Sequence, residues 1–410
     1  MKILMISGSP IMGGAEIASR RIALALASCG CEVIFISLVR TPIIHSRIVH
    51  IIIKYEKNQE FLFKVLKKTS YPLSFYFSTR YFFDKVKTII IKEKPDIINI
   101  HNIKQAFWSS DFVAWCSRLI PTIWTLHDMS SFTGRCVYTF ECEQFLCGCN
   151  NCPRINIPII CSKKFIHTQW NKNRYNIVSN KNLYAVTPSN WLKSQATRGF
   201  WEEKQIMVIP NCINLTEYYP RDTIKSKKEL GIFDSNQTIL LTSHDLNEKR
   251  KGIGAIIESL SNNHPEAKIS FILMGNGDKI KGLKHKFPVY HLGYISKELM
   301  PIVYSAADLL VHPSIADNLP NVIMESLSVG TPVIGFNIGG IPEMIIPEKT
   351  GWLVEDINYE LMSDKILEAL TIIKKDPLII QNACRSYAEE NYAEKIIGSK
   401  YMRLYNSLIS

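Results

Sequence analysis

The stretch HPSIADNLPNVIMESLSVGTPVIGFNIGGIPEMIIPEKTG, residues 312–351, decides how this chain is read. It follows Asp308-Leu309-Leu310-Val311, an apolar run short enough for a buried strand. A polar loop containing Pro313 and Asp317-Asn318 leads into a helix. Pro320 lies near the start of that helix, Met324 and Leu327 on its buried side, and Gly330 just past its end. Pro332 to Phe336 reads as a second short strand running toward Gly339-Gly340. Strand, loop, helix, strand is a unit that sets backbone N–H groups and the positive end of a helix dipole where a diphosphate can rest. Glu325, inside the helix, can accept hydrogen bonds from a sugar hydroxyl.

The same pattern extends upstream. Lys2 to Ile6 is a strand, followed by a Gly-rich turn from Gly8 to Gly14 and a helix over Ala15 to Ser28. Strands are expected at Glu32–Leu38, Asp96–Ile100, Pro121–Leu126 and Leu183–Val186, with a helix near 83–93 and another capped by Ser189. Farther on, Thr238–Thr242, Ile269–Met274 and Val289–Leu292 read as strands. Lys249-Arg250-Lys251-Gly252 enters a helix, and Lys297–Ser305 forms another. The polar stretch from Tyr218 to Lys228 reads as a linker, and everything after about residue 358 is helical by pattern. Strand–helix alternation predicts parallel sheets covered on both faces, with ligands at the carboxyl ends of the strands. Gly13, His101 and His127 fall at such ends. The first turn has P-loop spacing from Gly8 to Gly13, but Gly14-Ala15 replaces the Lys-Ser/Thr pair that a P-loop needs. The dinucleotide fingerprint GxGxxG is absent there too.

At 410 residues, two domains are expected. No run approaches 18 apolar residues, so a transmembrane helix is not expected. The first apolar run is too short for a secretory core, so the expectation is a cytoplasmic chain in which disulfides are disfavoured. The net charge of +11 is concentrated between Arg40 and Lys94, where 12 Lys and Arg face 4 acidic residues and YPLSFYFSTRYFF occupies 71–83. Basic residues interleaved with aromatics suit an anionic membrane face, and a solvated face over core aromatics is the plainer alternative. No nucleic-acid motif accompanies the charge, and no nucleic-acid partner is expected.

Between 130 and 161 the alternation stops. Cys136, Cys142, Cys147, Cys149, Cys152 and Cys161 crowd into a Gly- and Asn-rich loop. Cys136 and Cys142 with Cys149-x-x-Cys152 make one candidate Cys₄ structural zinc site; buried thiols or a redox site are the alternatives.

Taken together these motifs resemble the retaining glycosyltransferases of family 4, with the GT-B fold. They are Gly13-Gly14 after the first strand, Thr125-Leu126-His127-Asp128, Pro210-Asn211, Lys251-Gly252, Asp317 through Glu325 at acidic-x7-Glu spacing, and Gly339-Gly340-Ile341-Pro342-Glu343. The Cys loop resembles a subgroup involved in colanic-acid-type and O-antigen synthesis. The resemblance implies an α/β chain of two Rossmann-like parallel-sheet domains facing across a cleft. Residues 1–212 would form the acceptor domain, carrying a basic and aromatic insertion at about 40–94 and the Cys-rich loop at 130–161. Residues 213–389 would form the nucleotide-sugar domain, and a C-terminal helix, 390–410, would pack back on the first.

The resemblance also implies roles. Lys251, with Arg250, would neutralise the donor diphosphate, and the helix start at Asn318-Leu319 would receive it. Glu325 would hold the ribose, and Asp317 and His127 would contact the donor sugar. Gly13 and Gly14 would shape the acceptor or phosphate loop, and Glu343 would help hold the donor pocket. The donor would be a nucleotide sugar, and no catalytic metal is expected. The acceptor would be a glycan or lipid-linked oligosaccharide in surface polysaccharide synthesis, reached at the inner face of the plasma membrane. Asp317 stands where the family usually has Glu, no Arg lies about six residues before Lys251, and Cys212 takes a linker position that is often Gly. A non-catalytic scaffold of a polysaccharide assembly complex and a GT-B-fold epimerase are the alternative readings.

Overall fold

The computed structural model describes residues 1–8, 13–38, 43–54, 56–69, 71–103, 108–153, 162–277 and 286–409; the side chains at 63, 67–69, 71, 72, 74 and 75 lie outside the description. Most of the first Gly-rich turn (9–12) and Cys161 are therefore outside it as well. The chain divides into two compact units, one comprising Met1–Pro210 with Ile397–Ser410, the other Asn211–Ile396.

The first unit holds β1 (Lys2–Ile6), α1 (Gly14–Ser28), β2 (Glu32–Ser37), β3 (Ile48–Ile52), α2 (Lys57–Thr69), α3 (Tyr71–Glu93), β4 (Ile97–Ile100), α4 (Ser110–Leu119), β5 (Thr122–Thr125), α5 (Lys163–Val178), β6 (Leu183–Thr187), α6 (Asn190–Arg198) and β7 (Ile206–Val208). Its seven strands run in the order β3-β2-β1-β4-β5-β6-β7, all parallel. A parallel sheet is buried on both faces, which is why its central strands are apolar without alternation. Ile3 to Ile6 and Ile97 to Ile100 are buried at every position. α1 meets the sheet with Ala18, Ile22, Ala25 and Leu26, spaced to fall on one face of a helix. Ser162 and Ser189 cap α5 and α6, accepting hydrogen bonds from the backbone N–H of Phe165 and Leu192.

The second unit holds α7 (Thr223–Glu229), β8 (Gln237–Asp245), α8 (Ile253–Asn263), β9 (Ile269–Asn276), β10 (Val289–Gly293), α9 (Met300–Ser305), β11 (Leu309–His312), α10 (Asn321–Ser328), β12 (Val333–Phe336), β13 (Gly351–Val354), α11 (Tyr359–Lys375) and α12 (Pro377–Tyr392). α13 (Glu394–Ile409) begins here and contributes its length from Ile397 to the first unit. The six strands are again parallel, ordered β10-β9-β8-β11-β12-β13. Ile239, Leu240, Leu310, Val333 and Ile334 are fully buried at its centre. Truncating one of them to Ala costs about 2–5 kcal/mol through lost transfer energy and a cavity.

Two expectations change. The basic segment at 40–94 is not an insertion outside the sheet. Ile48–Ile52 pairs with β2 from Val33↔Ile48 to Ser37↔Ile52 as an edge strand, and α2 and α3 follow it. The polar stretch read as a linker contains buried Tyr218 and the helix α7, capped by Asp222 accepting from the N–H of Lys225. In both sheets the strand order reverses beside the first strand, between β1 and β4 and between β8 and β11. A doubly wound sheet opens a crevice at the carboxyl end of such a reversal.

Candidate functional site

In the second unit that crevice is lined from β8 and β11. After β8 the chain makes a short 3₁₀ turn over Lys249–Lys251 and reaches Gly252 at φ 66°. A side chain there would be doubly unfavourable. The left-handed backbone disfavours it, and its Cβ would stand 2.2 Å from the carbonyl oxygen of Pro313. Glycine thus lets the Lys-Arg-Lys turn lie directly on the loop after β11, where the N–H of Ile315 donates to the carbonyl of Arg250 at 2.9 Å.

Asp317, 8% exposed, is the centre of this loop. Its Oδ2 accepts from Lys251 Nζ at 2.6 Å and lies 3.0 Å from His312 Nε2, with the Arg250 guanidinium at 3.6 Å. Arg250 also donates to the carbonyl of Ala316 at 2.6 Å and to Glu248 at 2.8 Å. Burial alone would push the Asp317 carboxyl up. The Lys251 ammonium, then His312 and Arg250, outweigh burial and hold it well below the usual carboxylate range. Burial lowers the His312 imidazole, against the opposing pull of Asp317. The Gly339-Gly340 turn meets the same residue, with the Gly340 N–H donating to the Asp317 carbonyl at 3.3 Å. The cluster thus holds two permanent cations on one buried carboxylate.

α10 starts directly after this loop, with Asn318 and Leu319 buried before it. Glu325, 2% exposed, sits in its second turn and accepts from the Tyr304 hydroxyl at 2.7 Å. Asn211 donates to Asn321 at 3.0 Å, fixing the first turn. Glu343 is half-buried; its carbonyl accepts from the Tyr387 hydroxyl at 2.8 Å. Lys251, Arg250 and Asp317 are therefore brought together. Sequence reasoning missed His312 and Tyr304. His312 opens the stretch quoted above and ends β11, a strand-end position that already marked His101 and His127 as candidates.

The first unit's crevice is built differently. His101, at the end of β4, is fully buried, and its Nδ1 stands 3.0 Å from Nε2 of His127 at the end of β5, the rings stacked with centroids 5.3 Å apart. Burial lowers the His127 imidazole to about 4 and holds His101 well below its ordinary value, so the pair is neutral near pH 7. Gly13 and Gly14 open α1, and Glu16, 4% exposed, follows in its first turn. Neither carboxylate oxygen of Glu16 finds a partner among the described residues. Burial pushes Glu16 up to about 7, opposed by Arg20. No sequence motif distinguished Glu16 from an ordinary first-turn acid that complements the helix dipole.

In the Cys loop, Cys149 is buried, and burial pushes its thiol up to about 11 with Cys136, Cys142 and Cys152 as electrostatic neighbours. Among the described residues no three His, Cys, Asp or Glu form a group able to hold a metal ion, and Cys161 lies outside them.

Known proteins bear on both halves. A profile for glycosyl transferases group 1 matches residues 222–389, and one for glycosyltransferase family 4 matches residues 12–217, half of the chain. The chain is 26% identical over 213 residues to N-acetyl-alpha-D-glucosaminyl L-malate synthase of Bacillus anthracis, covering 50% of this chain and 55% of the relative. It is 24% identical over 284 residues to the putative colanic acid biosynthesis glycosyl transferase WcaC of Escherichia coli K12, covering 65% of each. These alignments thus span less than two thirds of either relative. Among solved structures, sucrose-phosphate synthase of Thermosynechococcus elongatus superposes with a TM-score of 0.71 at 19% identity, covering 99% of this chain and 98% of that one. Anabaena Alr3699/HepE in complex with UDP-glucose does so at 0.67 and 17%, covering 99% and 100%. At such identities the likeness shows the fold, which is GT-B. With the family 4 profile across half of its length, the chain belongs to glycosyltransferase family 4.

Proposed function

We propose that this protein transfers a sugar from a nucleotide-sugar donor held by the second unit to a glycan acceptor held by the first, in surface polysaccharide synthesis. The observation that carries the reading is the Lys251–Arg250 pair gathered on Asp317 at the β8/β11 reversal. The Lys251 ammonium and the Arg250 guanidinium, the latter shared between Asp317 and Glu248, stand at the start of α10 as fixed cations that a diphosphate can engage. As the glycosidic bond breaks, charge builds on the departing diphosphate, and fixed cations stabilise that state more than the ground state. In this reading Lys251 and Arg250 exchange part of their contact with Asp317 for phosphate oxygens. Asn318 and Leu319 present the helix start, Glu325 holds the ribose and Glu343 supports the pocket. Asp317 and the neutral His127 contact the donor sugar. Anabaena Alr3699/HepE, which shares the fold, has been solved with UDP-glucose, which supports a donor of this class.

The test is a panel of nucleotide sugars assayed for binding and transfer by the wild type and by Lys251→Ala and Glu325→Ala. Unchanged turnover in both variants removes the site assignment. Retention of anomeric configuration is read by NMR of the first-formed product, and an inverted product overturns it.

We further propose that the acceptor is lipid-linked and that α2 lies against an anionic bilayer. Phe61, Leu62 and Val65 are exposed on it beside Lys57 and Lys64. No helix among the described residues is long and apolar enough to cross a membrane. Sedimentation with vesicles containing anionic lipid is expected to carry the protein down, and indifference to lipid charge overturns the contact.

A further inference from the structure

The carboxylate of Glu325 has one torsion that its helix does not set. α10 fixes the backbone of Glu325, and the torsions of its stem fall into staggered wells. The last torsion, which turns the carboxylate about its own axis, is broad and roughly twofold. A carboxylate offers about four lone-pair directions, and that turn decides which of them face a ligand. Only a further contact at the carboxylate itself can hold it at one angle.

Tyr304 supplies that contact. It is the penultimate residue of α9, fully buried, and its hydroxyl donates to Glu325 Oε2 at 2.7 Å. Hydrogen bonds to a carboxylate are shorter and stronger than those between neutral groups, so this one orients as well as attracts. The tyrosine is itself held. Its ring stands 6.5 Å, centroid to centroid, from that of buried Tyr218. Its carbonyl accepts from Thr331 Oγ1 at 2.8 Å and from the N–H of Ala307 at 3.2 Å.

The backbone of α10 is secured by other groups. Asn211 donates to Asn321 in the first turn at 3.0 Å, and Ser326 Oγ donates to the Thr331 carbonyl at 2.8 Å. Arg385 donates to the carbonyl of Ser328, the last residue of the helix, at 2.8 Å. The helix therefore keeps its place without the Tyr304 hydroxyl, and what that hydroxyl adds falls on the carboxylate. Phenylalanine at 304 would fill the same space and keep the Thr331 contact, which is made to the main chain.

We infer that Tyr304 is a positioning residue for donor recognition. Through one hydrogen bond it sets the Glu325 carboxylate at the angle that receives the ribose hydroxyls, and so gives the site its discrimination against a sugar lacking them. A buried group that loses its hydroxyl partner is left unpaired, which is how a site rejects the deoxy analogue. That penalty is full only while the carboxylate is held at one angle; a carboxylate able to turn finds another partner, and the rejection fades. Tyr304 acts through Glu325 and touches no donor atom. The inference deepens the reading of Glu325 as the ribose contact and rests on it.

Titration calorimetry on the full chain tests it with UDP, GDP, CDP and dTDP, each beside the analogue lacking hydroxyls at 2′ and 3′. The wild type is expected to bind the parent of its own nucleotide about tenfold or more tighter than the analogue. Tyr304→Phe is expected to bring that ratio to about threefold or less by weakening the parent, with the analogue's affinity unchanged. Added to Glu325→Ala, it should lower the ratio no further, because the two residues act as one unit. Thr331→Val, which loosens the main chain of Tyr304 and keeps its hydroxyl, is expected to lower the Tm and preserve the ratio. A ratio that survives in Tyr304→Phe, or that falls because parent and analogue weaken together, overturns the inference and leaves the donor site standing. So does a ratio lost equally in Thr331→Val, since the main chain and not the hydroxyl would then set it. A wild type that binds a nucleoside diphosphate without discriminating removes the ribose role of Glu325 and this inference with it. A wild type that binds none of them overturns the glycosyl-transfer reading itself, and the inference falls too.

Discussion

The two strand-order reversals share one topology and differ in electrostatics. At β8/β11 the side chains are permanently charged and matched to one another: Lys251 and Arg250 against Asp317, with His312 behind. At β1/β4 they are titratable groups whose charge burial opposes: the His101–His127 pair, neutral near pH 7, and Glu16, pushed up to about 7. A charged cradle suits a ligand that brings its own countercharge, and a neutral crevice suits one that brings hydroxyls. The same doubly wound frame can therefore serve a diphosphate in one unit and a glycan in the other without any difference in strand order.

The contrast breaks first at Asp317. Asp317→Ala leaves the half-buried Lys251 ammonium without its carboxylate, while Arg250 keeps Glu248, and is expected to destabilise the second unit by about 1.5–3 kcal/mol, read by denaturant unfolding. UDP should restore part of that loss if the site takes a diphosphate, because a ligand that binds only the folded state stabilises it. Next, Lys251→Ala is expected to lower kcat/KM for transfer by about 100- to 1000-fold, the usual effect of losing one fixed charge at a developing anion. An effect below tenfold would place the diphosphate elsewhere.

Glu16 probes the neutral side. Its folded pKa lies above its unfolded value, so its protonated form is favoured in the folded chain. Its contribution is complete below about pH 4.5 and is lost as pH rises through about 7. Glu16→Gln should therefore leave stability at pH 4 nearly unchanged and raise it by about 3 kcal/mol at pH 8, measured by chemical denaturation at each pH. His127 has the opposite sign. Lowered to about 4, it binds its proton more readily when unfolded, so stability falls as pH drops from about 6.5 toward 4. His101→Asn, which keeps a polar partner for His127 but removes a ring, is expected to cost about tenfold in transfer rate. It should also move the acid limb of the pH–rate profile, which a merely structural role would leave in place.

Much of the frame was legible in the sequence because parallel strands are buried on both faces and appear as continuous apolar runs. Lys2–Ile6, Ile97–Ile100 and Val333–Phe336 all read that way. Ile48–Ile52 carries the same β-branched signal, but it lies inside the most basic part of the chain and at a sheet edge, where half-exposed residues blur the pattern. Thr223–Glu229 was hidden by its own polarity: a helix with a single buried residue, Ser226, gives no apolar periodicity. Lys251, Arg250 and Asp317 were legible as types at a spacing. That they contact one another was not, because it depends on Gly252 bringing two loops together that are about sixty residues apart in the chain. The same holds for Tyr304 with Glu325 and for His101 with His127: each pair is joined by the stacking of elements, which spacing within one element does not reveal.

The last helix has a consequence for synthesis. Asn99, at the centre of the first sheet, donates to the hydroxyl of Tyr405 at 2.7 Å, across 306 residues of chain. Gly398 packs so close to α1 that a Cβ there would stand 2.9 Å from the carbonyl oxygen of Ala25. The first unit to leave the ribosome is thus the last to be finished. Its Asn99 amide lacks its Tyr405 partner until the second unit and then α13 have been made. Contacts of such long sequence separation form late, because their loop-closure entropy must be met first. A chain that stops before α13 therefore carries a first unit open along the face that α13 covers.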